Sequence, residues 1–140
     1  MKLFVDSCGW IELSNKHSIN HGKVKLYYYD FLRKKGRVYT SDYVLNETIS
    51  LTFRRLPFDS ANRFLTFLEQ SIVSKELLLE RISEQRFEKA IELRRKYRDK
   101  PRISFTDLTS MVVMSELGIA DVLTEDKHFR QVGLGFNKVP

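Results

Sequence analysis

SFTDLTSMVVMSELGIADVLTEDKHF, residues Ser104 to Phe129, reads as one helix, one turn and one strand. Ser104 is of the residue type that caps helices, and Asp107 stands three positions on, the spacing of a capping box. Met111, Val112 and Met114 give the helix its apolar residues, and Gly118 stops it. Ala120 to Thr124 is a short run of strand length, with Asp126 just beyond. From Ser104 to about Leu117 the helix travels roughly 18 Å. The strand travels about 16 Å back. Asp126 is therefore expected beside Asp107, at the edge from which the helix set out.

The same alternation extends outward. Lys2 to Val5 is an apolar run that ends at Asp6 and reads as a buried strand stopping at a turn, with Gly9 and Trp10 following. Val24 to Lys35 carries Val24, Tyr27, Tyr28, Phe31 and Leu32 at helical spacing, with Gly36 placed to end it. Arg37 to Thr40 is a second strand, and Ser41 or Asp42 caps a helix that buries Leu45, Ile49 and Phe53. Pro57 breaks that segment, and Asp59 or Ser60 is expected to cap a helix built on Phe64, Leu65, Phe67, Leu68 and Ile72. Leu77 to Ile82 is a third strand. Ser83 opens a charged helix through Phe87, Ala90, Ile91 and Leu93 that ends by Pro101. Phe129, Leu134 and Phe136 are expected to close the end of the core. Strands alternating with helices predict an α/β domain with a short, mostly parallel sheet. No repeat, linker or shift in composition divides residues 1–140, so one domain is expected.

Composition narrows the function classes. Hydrophobic residues make up 42% of the chain and charged ones 30%, which argues against a disordered or fibrous protein. Lys and Arg outnumber Asp and Glu by 24 to 18, a net charge of +6 that suits a polyanionic partner without requiring one. Cys8 is the only cysteine, which excludes an intrachain disulfide framework and a Cys-rich zinc site. Asp6 interrupts the N-terminus before a signal-peptide core forms, and the charge-free stretch around Leu108 to Ser115 is too short to span a bilayer. A cytoplasmic protein without a membrane segment is expected.

Ligands of open parallel sheets bind outside the carboxyl ends of the strands. Asp6 follows the first strand, Glu47 lies in the second turn of the helix after Thr40, and Asp107 and Asp126 are expected at the same edge. Each acid has a plain reading: a turn residue for Asp6, a solvated helix face for Glu47, a capping-box partner for Asp107, a loop or cap residue for Asp126. Their joint placement points elsewhere, because gathered carboxylates repel one another unless a cation sits between them. Hard oxygen ligands select Mg²⁺, with Mn²⁺ as the alternative. Such ions polarise a phosphate and lower the pKa of a water, which suits hydrolysis of a phosphodiester. His17, His21 and His128 have no surrounding motif that would build a serine–histidine–acid site.

The pieces FVDSCGW, the NET segment holding Glu47, SFTD at Asp107 and GIADVLTEDKHF resemble, in order and spacing, the PIN-domain ribonucleases. The resemblance is strongest to the VapC-like toxins of toxin–antitoxin pairs, and it covers nearly the whole chain. It implies a PIN-like α/β/α sandwich, a Mg²⁺-dependent endoribonuclease that cuts RNA, a homodimer, and a small antitoxin protein as partner. It matches Asp6, Glu47, Asp107 and Asp126 to the family's catalytic, metal-holding acids, and Ser7, Thr106 and Thr124 to its supporting hydroxyls.

Several features around these motifs carry two readings. Lys127 and His128 adjoin Asp126, and Arg54 and Arg55 lie two turns beyond Glu47, so all are expected near an RNA backbone. The eight Lys or Arg between Arg86 and Arg102 read first as a solvated face, helped by a Glu92–Lys96 pair, and second as a phosphate attractor. The Tyr27, Tyr28, Tyr29 run reads as core and interface before it reads as a base-stacking platform. Apolar residues from Phe53 to Phe67 suit a dimer or antitoxin groove. Two other functions compete with the nuclease. One is a catalytically inactive PIN-fold RNA-binding or scaffolding module, which gains nothing from four acids facing phosphates. The other is a haloacid-dehalogenase-type phosphatase, which needs a second Asp where Cys8 stands.

Overall fold

A computed structural model describes residues 1–140 in full. Five parallel strands form one sheet in the order β3-β2-β1-β4-β5: β1 Lys2–Val5, β2 Arg37–Ser41, β3 Leu77–Glu80, β4 Asp121–Leu123 and β5 Asn137–Val139. Seven helices flank it: α1 Ser7–Ser14, α2 His21–Arg33, α3 Asp42–Arg55, α4 Phe58–Val73, α5 Glu84–Lys96, α6 Phe105–Leu117 and α7 His128–Gln131. The α/β class and the α/β/α layering are as expected, and every strand pair is parallel.

β1 is the centre of the sheet. Phe4 stands opposite Tyr39 on one side and Val122 on the other, and Leu3, Phe4 and Val5 are fully buried. A strand buried on both faces must be apolar at successive positions, as this one is. The register Val5↔Leu123 brings the ends of β1 and β4 level, so the residues that follow them, Asp6 and Thr124, begin life at one edge. α6 is buried along most of its length, and Gly118 ends it with φ 65, a left-handed value that a residue with Cβ adopts only at a cost.

Several boundaries differ from expectation, each for a local reason. The turn expected after Asp6 is the helix α1, whose Gly9 and Trp10 are buried against the sheet and its neighbours rather than exposed as turn residues. α2 begins at His21 and ends at Arg33, and the left-handed residue that reverses the chain is Lys35, φ 61. Gly36 is required instead by packing, since a Cβ there would lie 2.3 Å from the Phe31 ring. Pro57, not Asp59 or Ser60, occupies the cap position of α4; Asp59 falls in its first turn. β3 stops at Glu80 because the Ile82 N–H is taken by Asp42 Oδ1 at 3.0 Å. β5 was not expected at all, having only Val139 as an aliphatic residue. Phe129 and Phe136 close the core as expected, whereas Leu134 is exposed. Tyr28 is buried edge-on to Trp10 at 5.8 Å, and Tyr29 is exposed, so the tyrosine run faces several directions.

Candidate active site

The carboxyl edge of the sheet holds the acids. Asp6 sits in the cap position of α1 but makes no capping bond with its side chain. It is 1% exposed, accepts a 2.9 Å hydrogen bond from the Thr124 hydroxyl at Oδ2, and leaves Oδ1 buried with no partner. A capping role is therefore not what keeps an acid at this position. Asp107 closes the capping box: its N–H donates to Ser104 Oγ at 3.0 Å and its Oδ2 accepts from the Ser104 N–H at 3.4 Å. Its plain reading is correct, and it does not exclude the other, because Asp107 also faces Asp126 and His128. The Asp126 N–H donates to the same Thr124 hydroxyl at 3.0 Å, and its Oδ1 accepts from the His128 N–H at 2.8 Å. Thr124 thus ties two acids that are 120 positions apart in the chain.

Glu47 reaches the edge from α3, half-buried, where its Oε1 accepts from Ser7 Oγ at 3.2 Å. Ser7 is the residue after Asp6, so Glu47 borders the cluster without making contact as close as the other three. Thr106 is different from Ser7 and Thr124: its carbonyl accepts from the Thr109 and Ser110 hydroxyls, but its own hydroxyl bonds to none of the acids. Lys127 is exposed next to Asp126. Arg54 and Arg55 are exposed at the far end of α3, about 11 Å beyond Glu47 along the helix axis, so they stand outside the cluster. Part of the basic run is structural: Arg86 bridges Glu80 and Glu116, Lys89 pairs with Glu116 in place of the expected Glu92–Lys96 pair, and Arg94 holds backbone carbonyls, whereas Arg95, Lys96, Arg98 and Arg102 are exposed.

Electrostatics mark Asp6 and Asp107. Burial, then the charge of Asp107, pushes the Asp6 carboxyl up to about 7, with Asp126 adding to the effect. Burial, then the charge of Asp126, raises Asp107 to about 6. The half-buried Cys8 thiol is pushed up to about 12 by burial, then by the charges of Asp6 and Asp126, a poor nucleophile in the position where a phosphatase of the haloacid-dehalogenase type needs an acid. His128, expected near an RNA backbone because it adjoins Asp126, also has a place that the sequence reading did not assign: its Nδ1 lies 3.0 Å from Asp126 Oδ1 and 3.6 Å from Asp107 Oδ2. It is buried there without a well-directed hydrogen bond. The signal was the two-residue step from Asp126, which folds His128 back onto the acid through the Asp126 turn.

Ligand atoms of Asp107, Asp126 and His128 all lie within 4.8 Å of one another. The donor set fits a hard divalent cation: carboxylate oxygens dominate it, Asp6 Oδ1 is unpartnered, and burial, then mutual repulsion, raises the Asp6 and Asp107 carboxyls. The model of the PIN domain family matches residues 3–134. The chain belongs to the PIN-domain family. This PIN domain is also similar to the crystal structure of the toxin VapC20 of Mycobacterium tuberculosis, which is described as cleaving the sarcin–ricin loop. The two are 30% identical, the match covers 98% of each chain, and the TM-score is 0.80. No curated protein matches the sequence. Within this fold Asp6 follows β1, Asp107 lies in the first turn of α6, Asp126 comes shortly after β4, and Glu47 lies in the second turn of α3.

Proposed function

We propose that this PIN domain is a Mg²⁺-dependent endoribonuclease that hydrolyses RNA phosphodiester bonds as the toxin of a toxin–antitoxin pair. The observation that carries the proposal is that Asp107 and Asp126 meet at the carboxyl edge, where their charges act on the buried Asp6, tied to Asp126 through Thr124 and left with one oxygen that no protein group satisfies. The likeness to a VapC toxin supplies the substrate class, RNA, and the expectation of an antitoxin partner. A homodimer and a cytoplasmic location belong to the same proposal.

Asp6, Asp107 and Asp126 would hold the cation, with Glu47 completing the negative set. When bound there, a divalent cation supplies Lewis-acid polarisation of the phosphate and a lowered pKa for a water. The protein's own part is to keep the carboxylates in place. The Thr124 hydroxyl donates to Asp6 and accepts from the Asp126 backbone, so it sets the spacing of those two acids. Ser104 fixes Asp107 from both sides of the capping box, and Ser7 orients Glu47. His128, when protonated, places a positive charge against Asp107 and Asp126. Lys127, and further out Arg54 and Arg55, are assigned to the RNA backbone, where cations attract phosphates over several ångströms. Mn²⁺ is expected to substitute for Mg²⁺, as it takes the same oxygen ligands.

Incubation of the chain with a total-RNA pool, read by end mapping, tests the proposal. Cleavage is expected with Mg²⁺ or Mn²⁺, absent in EDTA, and reduced by at least about a hundredfold in Asp6→Asn and Asp126→Asn. Persistent cleavage by Asp6→Asn would overturn the assignment. RNA binding that is equal in EDTA and Mg²⁺, with no cleavage of any RNA, would favour an inactive RNA-binding module instead.

A further inference from the structure

Beside the acid cluster, on the far side of His128, lies a cleft of about 370 Å³ bounded by Asp99, Lys100, Pro101, Arg102, Ile103, His128 and Gln131. One wall is the connection between α5 and α6, and the other is α7. His128 belongs to both places, since its Nδ1 approaches Asp126 and Asp107 while the residue lines the cleft. The cleft is thus the direct continuation of the catalytic edge.

The walls are built rather than loose. The half-buried Arg94 guanidinium donates to the carbonyls of Tyr97 at 2.8 Å, Lys100 at 2.7 Å and Ile103, pinning the connection in one conformation. The buried Tyr97 donates its hydroxyl to the Val132 carbonyl at 3.4 Å, which ties that connection to the end of α7. Lys100 lies over the Tyr97 ring and is held by Asp99 at 2.9 Å. Arg102 is exposed at the cleft, and none of the molecule's ion pairs takes it. Gln131, also exposed, presents a carboxamide that both donates and accepts.

A phosphodiester chain approaching Asp6, Asp107 and Asp126 meets negative charge, so its neighbouring phosphates need cations close by. Lys100 and Arg102 share the cleft with His128, whose Nδ1 abuts Asp126 and Asp107, so both cations are at hand to supply them: Arg102 is in no ion pair, and Lys100 is paired only with the exposed Asp99 beside it. We infer that this cleft is the subsite for the nucleotide adjoining the scissile phosphate, with Arg102 and Lys100 on its backbone phosphate and Gln131 on the edge of its base. Arginine and lysine contacts position a strand without reading it, and an amide on a base edge reads it. The inference rests on the ribonuclease reading above, and the two are separable by experiment.

The binding arm uses a fluorescein-labelled single-stranded RNA of about twelve randomised nucleotides, with Mg²⁺, in the Asp6→Asn chain so that the probe survives. Anisotropy is followed between roughly 50 and 300 mM salt. Lys100→Ala/Arg102→Ala is expected to weaken binding by roughly fivefold or more and to lower the salt slope by about 0.7, the value for one phosphate of a single strand. Lys34→Ala/Arg37→Ala, at the opposite edge of the sheet, removes the same charge and serves as the comparison. If the two double variants behave alike, the cleft is not a phosphate subsite, and an acidic protein partner becomes the better occupant.

The cleavage arm uses the otherwise unaltered chain on total RNA. Lys100→Ala/Arg102→Ala is expected to raise KM while leaving kcat within about twofold and the sequence around the cuts unchanged. Gln131→Ala is expected to relax the preference at one nucleotide position beside the cut, and an unchanged sequence preference would overturn its role as reader. A chain that cuts no RNA defeats the ribonuclease reading alone, because the salt slope still answers for the cleft.

Discussion

Asp6 is a buried acid, and burying it comes at a cost to the fold. The folded chain holds its proton up to about 7, whereas an unfolded chain releases it near pH 4. Between those values the folded state binds more protons, so stability contributed by the protonated form is fully present below about pH 4 and is lost as pH rises through 7. Asp107, raised to about 6, acts in the same direction. Asp30 and Glu116, held below the ordinary range by hydrogen bonds from lysine and arginine, act in the opposite sense only at more acid pH. In EDTA the unfolding free energy is therefore expected to fall from pH 4 to pH 7 by on the order of a few kcal/mol, and the melting temperature to fall with it. Asp6→Asn is expected to raise the melting temperature at pH 7 and to remove most of that slope, since the amide needs no desolvated charge. Thermal melts of both chains across that range check it, and parallel slopes would show that the burden lies elsewhere. At this scale the positions of Asp6, Asp107 and Asp126 were legible because they follow from where β1 and β4 end and α6 begins. The inward turn of His128 was not legible, since it depends on a backbone hydrogen bond that no side-chain pattern announces.

At the scale of elements, the close approach of α1 to β4 sets how near Asp6 comes to Asp126. A Cβ on Gly9 would lie 2.2 Å from Leu123 Cδ2 and 2.5 Å from the Leu123 carbonyl oxygen, and that backbone carbonyl also accepts the Asp6 N–H at 3.2 Å. Gly9→Ala must therefore push α1 away from the strand that precedes Thr124 and Asp126. It is expected to destabilise the fold by about 1–3 kcal/mol and to reduce cleavage further than that loss explains. Urea denaturation beside a cleavage assay measures both, and an undisturbed midpoint would mean that α1 has room to spare. The expectation of a turn after Asp6 failed for a related reason. SCGWIELS has a glycine and few regularly spaced apolar residues, so helical periodicity is weak, and α1 is held by the burial of Trp10 among Tyr28 and Phe64. The helices with clear caps, α3 after Ser41, α5 after Ser83 and α6 after Ser104, were legible because their hydroxyls accept the backbone N–H groups expected of them. β5 is three residues long and mixed in polarity, and its pairing with β4 is a tertiary fact.

For the molecule as a whole, the cluster joins the beginning of the chain to its end. β1 and β4 are neighbours in the sheet although more than a hundred residues separate them, and the Thr124–Asp6 hydrogen bond spans 118 positions. Any ligand that draws Asp6, Asp107 and Asp126 together therefore binds the folded chain and has no counterpart in the unfolded one. Ligand binding of that kind raises stability by about 2.7 kcal/mol at a hundredfold excess over Kd. For a chain of this size that corresponds to a rise of roughly 10 °C in melting temperature. Mg²⁺ or Mn²⁺ is thus expected to raise the melting temperature of the chain at pH 7, with the gain growing as the logarithm of concentration above Kd. Asp6→Asn and Asp126→Asn, at opposite ends of the sequence, should lose most of this gain alike, whereas Asp121→Asn, at the other edge of the sheet, should keep it. Differential scanning calorimetry with titrated cation makes the measurement, independent of any RNA. Equal cation responses from the two cluster variants and the unaltered chain would mean that the acids, though gathered, do not bind as a unit.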